Sequence, residues 1–330
     1  MNLATTYLGL PLRNPLVVGA SPLSDDVHAA RQLQDAGAAA IVMRSLFEEQ
    51  IDMEQRALAH HVESTSDSFS EATSFFPQFE EYQFSPERYL RQIEQLKSEL
   101  SIPVIASLNG RRPGTWLQYA QRFAAAGADA IELNLYDLIT DSSLASGEVE
   151  EAYLQTVRMV AASVSIPVAV KLSPFHTALP HFTRALTQAG AAGVVLFNRF
   201  YQPDFNVDDL ETLPTLRLSD SSELLTRLRW IAILSPQHRG SLAASGGVHT
   251  STDAIKSILA GAHAVQLVSV LLKHGPRFLT TLLTDLQRWM VDHGYTQVSE
   301  FRGAMNHRRC PDPAALERAN YQKILQSWKV

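Results

Sequence analysis

A closed (β/α)8 barrel, the TIM-barrel fold, is predicted by two repeated joints and the alternation they punctuate. The first joint, Ala-Gly-Ala, occurs at Ala36-Gly37-Ala38, Ala126-Gly127-Ala128, Ala189-Gly190-Ala191 and Ala260-Gly261-Ala262, each time just ahead of an apolar run. Glycine there accepts the left-handed conformation that ends a helix before a strand begins. The second joint, Ser-Ile-Pro-Val, occupies 101–104 and 165–168, where proline suits a first strand position that needs no ladder donor. Gly127 and Gly190 are 63 residues apart and Ile102 and Ile166 are 64 apart, the length of two β/α units. A chain of 330 residues accommodates two ordinary domains or one barrel with additions, and the unbroken repeat favours the barrel.

Taken in order, the predicted strands are 15–18, 40–43, 104–107, 130–133, 168–171, 193–196, 241–244 and 264–267. Each is a short, continuous apolar run, as expected of a parallel sheet covered by helices. The helices between them are predicted at 25–36, 86–100, 115–126, 148–164, 178–189, 222–234, 251–260 and 275–293. Glu148, Glu150 and Glu151 suit a helix N-terminus, and Thr250 with Asp253 forms a capping box. Residues 1–303 are read as the barrel with an N-terminal hairpin. Residues 304–330 form a helical tail, starting at Asp312-Pro313 and helical over 314–328. Long loops at 45–84, 135–147 and 199–221 all follow strands and therefore lie on the C-terminal face, where barrel active sites are built. The first loop carries Phe75, Phe76, Phe79, Tyr82 and Phe84, which suit a lid, a subunit contact or packing onto the barrel rim.

Composition narrows the function. Hydrophobic residues make up 45% and charged residues 19%, which excludes disorder and coiled coil. With 28 Lys and Arg against 34 Asp and Glu, the net charge of -6 argues against nucleic acid as a partner. One cysteine, Cys310, excludes an internal disulfide and an iron–sulfur cluster held by this chain alone, and suits a reducing cytoplasm. Neither an export signal nor a membrane span is expected. No metal is expected either: His60-His61 is an adjacent pair, and the remaining histidines are scattered. A nucleophile elbow is also lacking.

Polar residues interrupt the apolar runs at the predicted strand ends: Ser21, Arg44 with Ser45, Ser107 with Asn109, Glu132 with Asn134, Lys171 with Ser173, Asn198 with Arg199, Ser245, and Gln266 with Ser269. By the period of two, Glu132 shares a face with Asn134, Lys171 with Ser173 and Ser107 with Asn109. A buried Lys171 needs either a carboxylate, for which Glu132 is the structural candidate, or an anionic ligand. Ser245-Gly246-Gly247-Val248 follows strand seven, where glycine lets backbone N–H groups approach a phosphate, or makes a plain turn.

From about residue 3 to 303 the chain resembles the dihydroorotate dehydrogenases, specifically the soluble class 1 enzymes. The resemblance rests on Leu8-Gly9-Leu10-Pro11-Leu12-Arg13-Asn14-Pro15, Gly19-Ala20-Ser21, Glu132-Leu133-Asn134-Leu135, Val170-Lys171-Leu172-Ser173-Pro174, Ser245-Gly246-Gly247-Val248 and Gly261-Ala262-His263-Ala264-Val265-Gln266-Leu267. It implies an FMN cofactor. Lys171 would sit by the flavin N1/O2 edge, while Ala20, Ser21, Arg44 and Ser45 would line the ring. Asn109, Asn134 and Asn198 would hydrogen-bond the flavin or the substrate above it. Ser245, Gly246, Gly247, Val268 and Ser269 would hold the phosphate. A homodimer and a soluble electron acceptor or redox protein partner are the family expectation.

The family's loop after strand four reads Asn-Leu-Ser-Cys-Pro-Asn, whereas this chain reads Asn134-Leu135-Tyr136-Asp137-Leu138-Ile139, so the catalytic thiol is missing. Arg44 also stands where the family has Lys, and the Asn expected after strand two has no match in Ser74-Phe75-Phe76-Pro77. Asp137 takes the base position in an ungapped alignment and equally suits a turn, with Tyr136 a third choice. The function expected is hydride transfer between FMN and dihydroorotate, or a similar CH–CH bond beside a carbonyl, in pyrimidine synthesis. The alternatives are a flavin-binding electron-transfer subunit and a flavin-free phosphate-binding lyase or isomerase.

Overall fold

The computed structural model describes residues 1–51, 85–110, 113–199, 202–213, 215–318 and 320–327. Eight parallel strands form the barrel: β1 (Leu16–Val18), β2 (Ile41–Val42), β3 (Val104–Asn109), β4 (Ala130–Leu135), β5 (Val168–Leu172), β6 (Gly193–Leu196), β7 (Ser241–Ser245) and β8 (Ala264–Leu267). Each pairs with its neighbours in chain order, and β8 pairs with β1 through Val265–Leu16, Gln266–Val17 and Leu267–Val18, which closes the ring. All eight predicted strands are present.

The helices are α1 (Val27–Asp35), α2 (Pro86–Glu99), α3 (Pro113–Ala125), α4 (Ser146–Ser163), α5 (Leu179–Gln188), α6 (Leu224–Leu234), α7 (Ser251–Ala260), α8 (Ser269–His274) and α9 (Phe278–Asp292). Their starts follow local chemistry. Asp26 caps α1 by accepting from the amides of His28 and Ala29, Ser85 caps α2, and Thr250 with Asp253 makes the predicted reciprocal box on α7. The glycines of all four Ala-Gly-Ala joints have positive φ, from +93° at Gly127 to +125° at Gly261.

Three expectations are corrected. The loop 199–221 contains an antiparallel hairpin, Asp204–Asn206 with Glu211–Leu213, whose exposed Phe205 and Leu210 follow no burial periodicity. The helix expected over 275–293 starts at Phe278, and the separate short α8 precedes it. The tail is not one helix over 314–328 but a 3-10 turn, Pro313–Leu316, followed by a helix, Asn320–Ser327. Between them Glu317 is extended, with its carboxylate 2.6 Å from His307 Nε2. The aromatic group Phe75 to Phe84, the segment Ser74–Pro77 and the pair His60-His61 lie outside the described residues.

The core has two parts. Leu33, Ile93, Phe123, Val160, Phe182, Ile231, Ile258 and Leu286 seal the helices onto the outside of the barrel. Inside, Val17, Val42, Ile105, Ala130, Ala169, Val195, Ala243 and Ala264 form a layer of mostly small side chains. Alanine at so many of these positions leaves room for Tyr7, Leu8 and Leu12, and these enter from the N-terminal hairpin Thr5–Tyr7/Leu10–Leu12 and plug one end. Burial of each such large side chain contributes about 1.5–3 kcal/mol. The layer also fixes what lies above it. Two residues further along each strand the side chain points inward again, at Ser107, Glu132, Lys171, Ser245 and Gln266.

Candidate functional site

This second layer is polar and nearly dry. Glu132 and Gln266 are each 1% exposed and Lys171 is 6% exposed. Lys171 Nζ donates to Glu132 Oε1 at 3.1 Å and to Gln266 Oε1 at 3.2 Å, and Gln266 Nε2 donates to Glu132 Oε2 at 2.5 Å. The three groups thus close a ring that is neutral as a whole, which meets the requirement that a buried ammonium be paired. Glu132 is therefore the carboxylate partner of Lys171. Gln266 comes from β8, four strands away from β4, so the ring crosses the barrel interior.

Nearer the mouth, Asn134 Nδ2 donates to Ser45 Oγ at 2.7 Å and to Ser107 Oγ at 3.0 Å, and the two hydroxyls are themselves 2.8 Å apart. The other amide atom, Asn134 Oδ1, is buried with no hydrogen-bond partner among the described residues, and so is Ser21 Oγ, three residues beyond β1. Arg44 is committed sideways: its guanidinium meets Asp25 Oδ2 at 2.5 Å. Burial raises the Asp25 carboxyl to about 6, against the pull of Arg44 and Arg88.

After β7 the chain turns through Gly246 and Gly247, both at positive φ (+87° and +79°), with Arg227 Nε bonded to Ser245 O at 2.9 Å. The segment that follows the hairpin of the 199–221 loop arrives here. Ser219 donates its amide to Ser269 Oγ at 3.2 Å, its hydroxyl lies 2.9 Å from His249 Nε2, and Lys273 Nζ donates to its carbonyl at 2.9 Å. Burial, followed by the charge of Lys273, holds the His249 imidazole below its usual value. Only the serine-rich run Ser219-Asp220-Ser221-Ser222 hinted at this in the sequence; Asp25 and Lys273 carried no signal. Val268 packs behind β1, its Cγ2 2.8 Å from where a Cβ on Gly19 would stand.

The remaining predicted residues lie around the same face. Ala20 is half-buried beyond β1, Asn109 ends β3, and Asn198 follows β6, its amide bonded to Leu172 O at 2.7 Å. Asp137 stands to one side. It accepts from Tyr153 Oη at 3.2 Å and lines a cavity of about 510 Å³ with Leu138, Ile139, Phe175, His176 and Glu150. There His176 Nδ1 is 3.7 Å from Glu150 Oε1, and burial lowers its pKa.

Among the described residues no group of three or more His, Cys, Asp or Glu is arranged to hold a metal. No helix among them is long and apolar enough to cross a membrane. No family model matches the chain. It is similar to a chain of Aeropyrum pernix named as a dihydroorotate dehydrogenase A (fumarate), 30% identical over 64% of this chain and 71% of the relative. The catalytic subunit of dihydroorotate dehydrogenase B (NAD(+)) from Thermoplasma volcanium is 24% identical over 92% of this chain and 98% of its own length. Subunit PreA of the NAD-dependent dihydropyrimidine dehydrogenase of Escherichia coli strain K12 is 23% identical over 94% of this chain and 78% of its own.

Proposed function

The chain belongs to the dihydroorotate dehydrogenase family, and from that premise we propose that it is an FMN-dependent oxidoreductase acting on a CH–CH bond beside a carbonyl, with dihydroorotate the first substrate to test. The observation that carries the cofactor reading is the pair of buried, unpartnered polar atoms, Ser21 Oγ and Asn134 Oδ1. A buried polar atom without a partner costs about 1–3 kcal/mol, so two such atoms on the C-terminal face, one beyond β1 and one on β4, fit a polar ring that spans the mouth and satisfies both. The residues present therefore suit the group.

Bound there, FMN supplies a ring that takes up or returns a hydride. Ala20, Ser21, Arg44, Ser45, Asn109, Asn134 and Asn198 would hold and orient it. Ser245, Gly246, Gly247, Val268 and Ser269 would hold its phosphate through backbone N–H groups and one hydroxyl. Lys171 would supply a cation for the negative charge that gathers on the reduced ring. Asp137 would hold the proton that leaves carbon, at the carboxylate that Tyr153 Oη orients.

A second reading is favoured by the strand-four loop, where Tyr136-Asp137 replaces the family's thiol. Two of the relatives are named as subunits, which suits a flavin-carrying chain that exchanges electrons with a protein partner. One experiment separates the readings. The purified protein, reconstituted with FMN, is mixed anaerobically with dihydroorotate and its visible absorbance followed. Bleaching supports the first reading. A yellow protein that does not bleach supports the second, and a protein that cannot be loaded with FMN removes both in favour of a flavin-free barrel.

A further inference from the structure

The ring of Lys171, Glu132 and Gln266 contains more than is needed to neutralise a lysine. One carboxylate suffices for charge, yet a neutral amide reaches across the barrel from β8 to accept from the ammonium and donate to the carboxylate at once. An ammonium has three N–H donors. Glu132 takes one and Gln266 takes another, and no third acceptor is present among the described residues. The layer below is filled by Ala130, Ala169, Ala264 and Tyr7, whose hydroxyl is the one polar side-chain group of that layer among the described residues, while the polar strand ends above it form the mouth. A Lys–Glu pair alone can pivot about its single contact. With Gln266 it is held at two points on opposite walls.

We propose that Gln266 is a positioning residue for Lys171: by bridging Lys171 and Glu132 it fixes the ammonium so that its one unused N–H is presented to an electron-rich edge of the ring bound at the barrel mouth. This rests on the FMN reading above. Because Gln266 is uncharged, replacing it alters no net charge at the site, and the electrostatic change expected at the cofactor comes from repositioning the Lys171–Glu132 pair that it bridges.

The test is the two-electron midpoint potential of the FMN-loaded protein, measured for the wild type, Lys171→Met, Gln266→Met and Gln266→Asn, with folding checked by circular dichroism. The shorter Asn keeps the amide but withdraws it by one methylene, and serves if the Met variant fails to fold. Lys171→Met is expected to disfavour the reduced form at least tenfold, about 30 mV for a two-electron couple. Both Gln266 variants are expected to move the potential in the same direction by a substantial part of that shift. If Lys171→Met lowers the potential while both Gln266 variants keep the wild-type value, the positioning role is overturned and the FMN reading stands. If Lys171→Met itself leaves the potential unchanged, the role of Lys171 toward the cofactor falls, and this inference with it.

Discussion

Ser21, three residues beyond β1, has a buried hydroxyl that meets no partner among the described residues, while its backbone carbonyl accepts from Ser24 Oγ at 3.0 Å. A hydroxyl kept for structure and one kept for a ligand respond oppositely to removal. Ser21→Ala is expected to leave the FMN-free protein as stable as the wild type or slightly more so, because an unsatisfied polar atom is lost. Its FMN affinity should fall by up to about tenfold, the worth of one hydrogen bond. Thermal melts of the FMN-free protein and a fluorescence titration with FMN give both quantities, and a destabilised variant with normal affinity would return Ser21 to a structural role. Much of this layer was legible residue by residue. The period of two placed Ser107, Glu132 and Lys171 inside, and the rule that a buried lysine needs a counter-charge named Glu132. The bridge made by Gln266 was not legible, because which strands face each other across a barrel depends on closure and stagger. Asp25 and Ser219 were missed for the same reason: their partners are distant in sequence and no periodicity marks them.

Among the elements, the turn after β7 makes the sharpest demand on its residues. A Cβ on Gly247 would collide with the amide nitrogen of Leu224 and stand 2.8 Å from its Cα, at the first turn of α6, and φ there is +79°. Gly275, after α8, has a similar φ of +77° but open space around it. Alanine at 275 should therefore cost only the left-handed conformation, about 1–2 kcal/mol. Alanine at 247 adds a clash with backbone that cannot turn aside, and should cost roughly 3 kcal/mol or more while weakening FMN retention. Denaturant unfolding of the two variants compares them directly, and equal losses would show that the packing of the turn on α6 carries no weight. The Ala-Gly-Ala and Ser-Ile-Pro-Val joints made the barrel elements readable because local backbone chemistry fixes where helices end and strands start. The hairpin at Asp204–Leu213 and the break at Glu317 were not readable. One exposes its apolar side chains, and the other is accompanied by a pairing with His307, so neither leaves a local pattern.

At the scale of the whole molecule, the repeat of 63–64 residues chose one barrel over two domains, but it says nothing of how the fold responds to acid. That response comes from groups whose burial only the assembled fold creates. Burial lowers the imidazole of His238 to about 4; burial, with the charges of Arg302 and His238, lowers that of His263 to about 4 as well. In the unfolded chain both return to about 6.5. Between these values the unfolded chain binds more protons than the folded one, so the stabilisation is complete above pH 6.5 and is lost as pH falls through 4. The limit is about 1.4 kcal/mol per pH unit for each fully buried histidine. Asp25 works in the opposite direction: raised from its ordinary 3.8 to about 6, it relieves the fold as pH falls across that interval and offsets part of the loss. With two histidines against one half-buried carboxyl, the balance is a net loss of stability on acidification, on the order of 1 kcal/mol per unit between pH 6 and 4 after allowance for solvent screening. Thermal midpoints measured from pH 7 to 5 at a fixed FMN concentration should fall by several degrees. His238→Phe, which keeps a ring but cannot titrate, should remove most of that fall because one histidine then stands against Asp25, and Asp25→Asn should steepen it. A fall of the same size in all three proteins would mean that these groups do not govern the acid response.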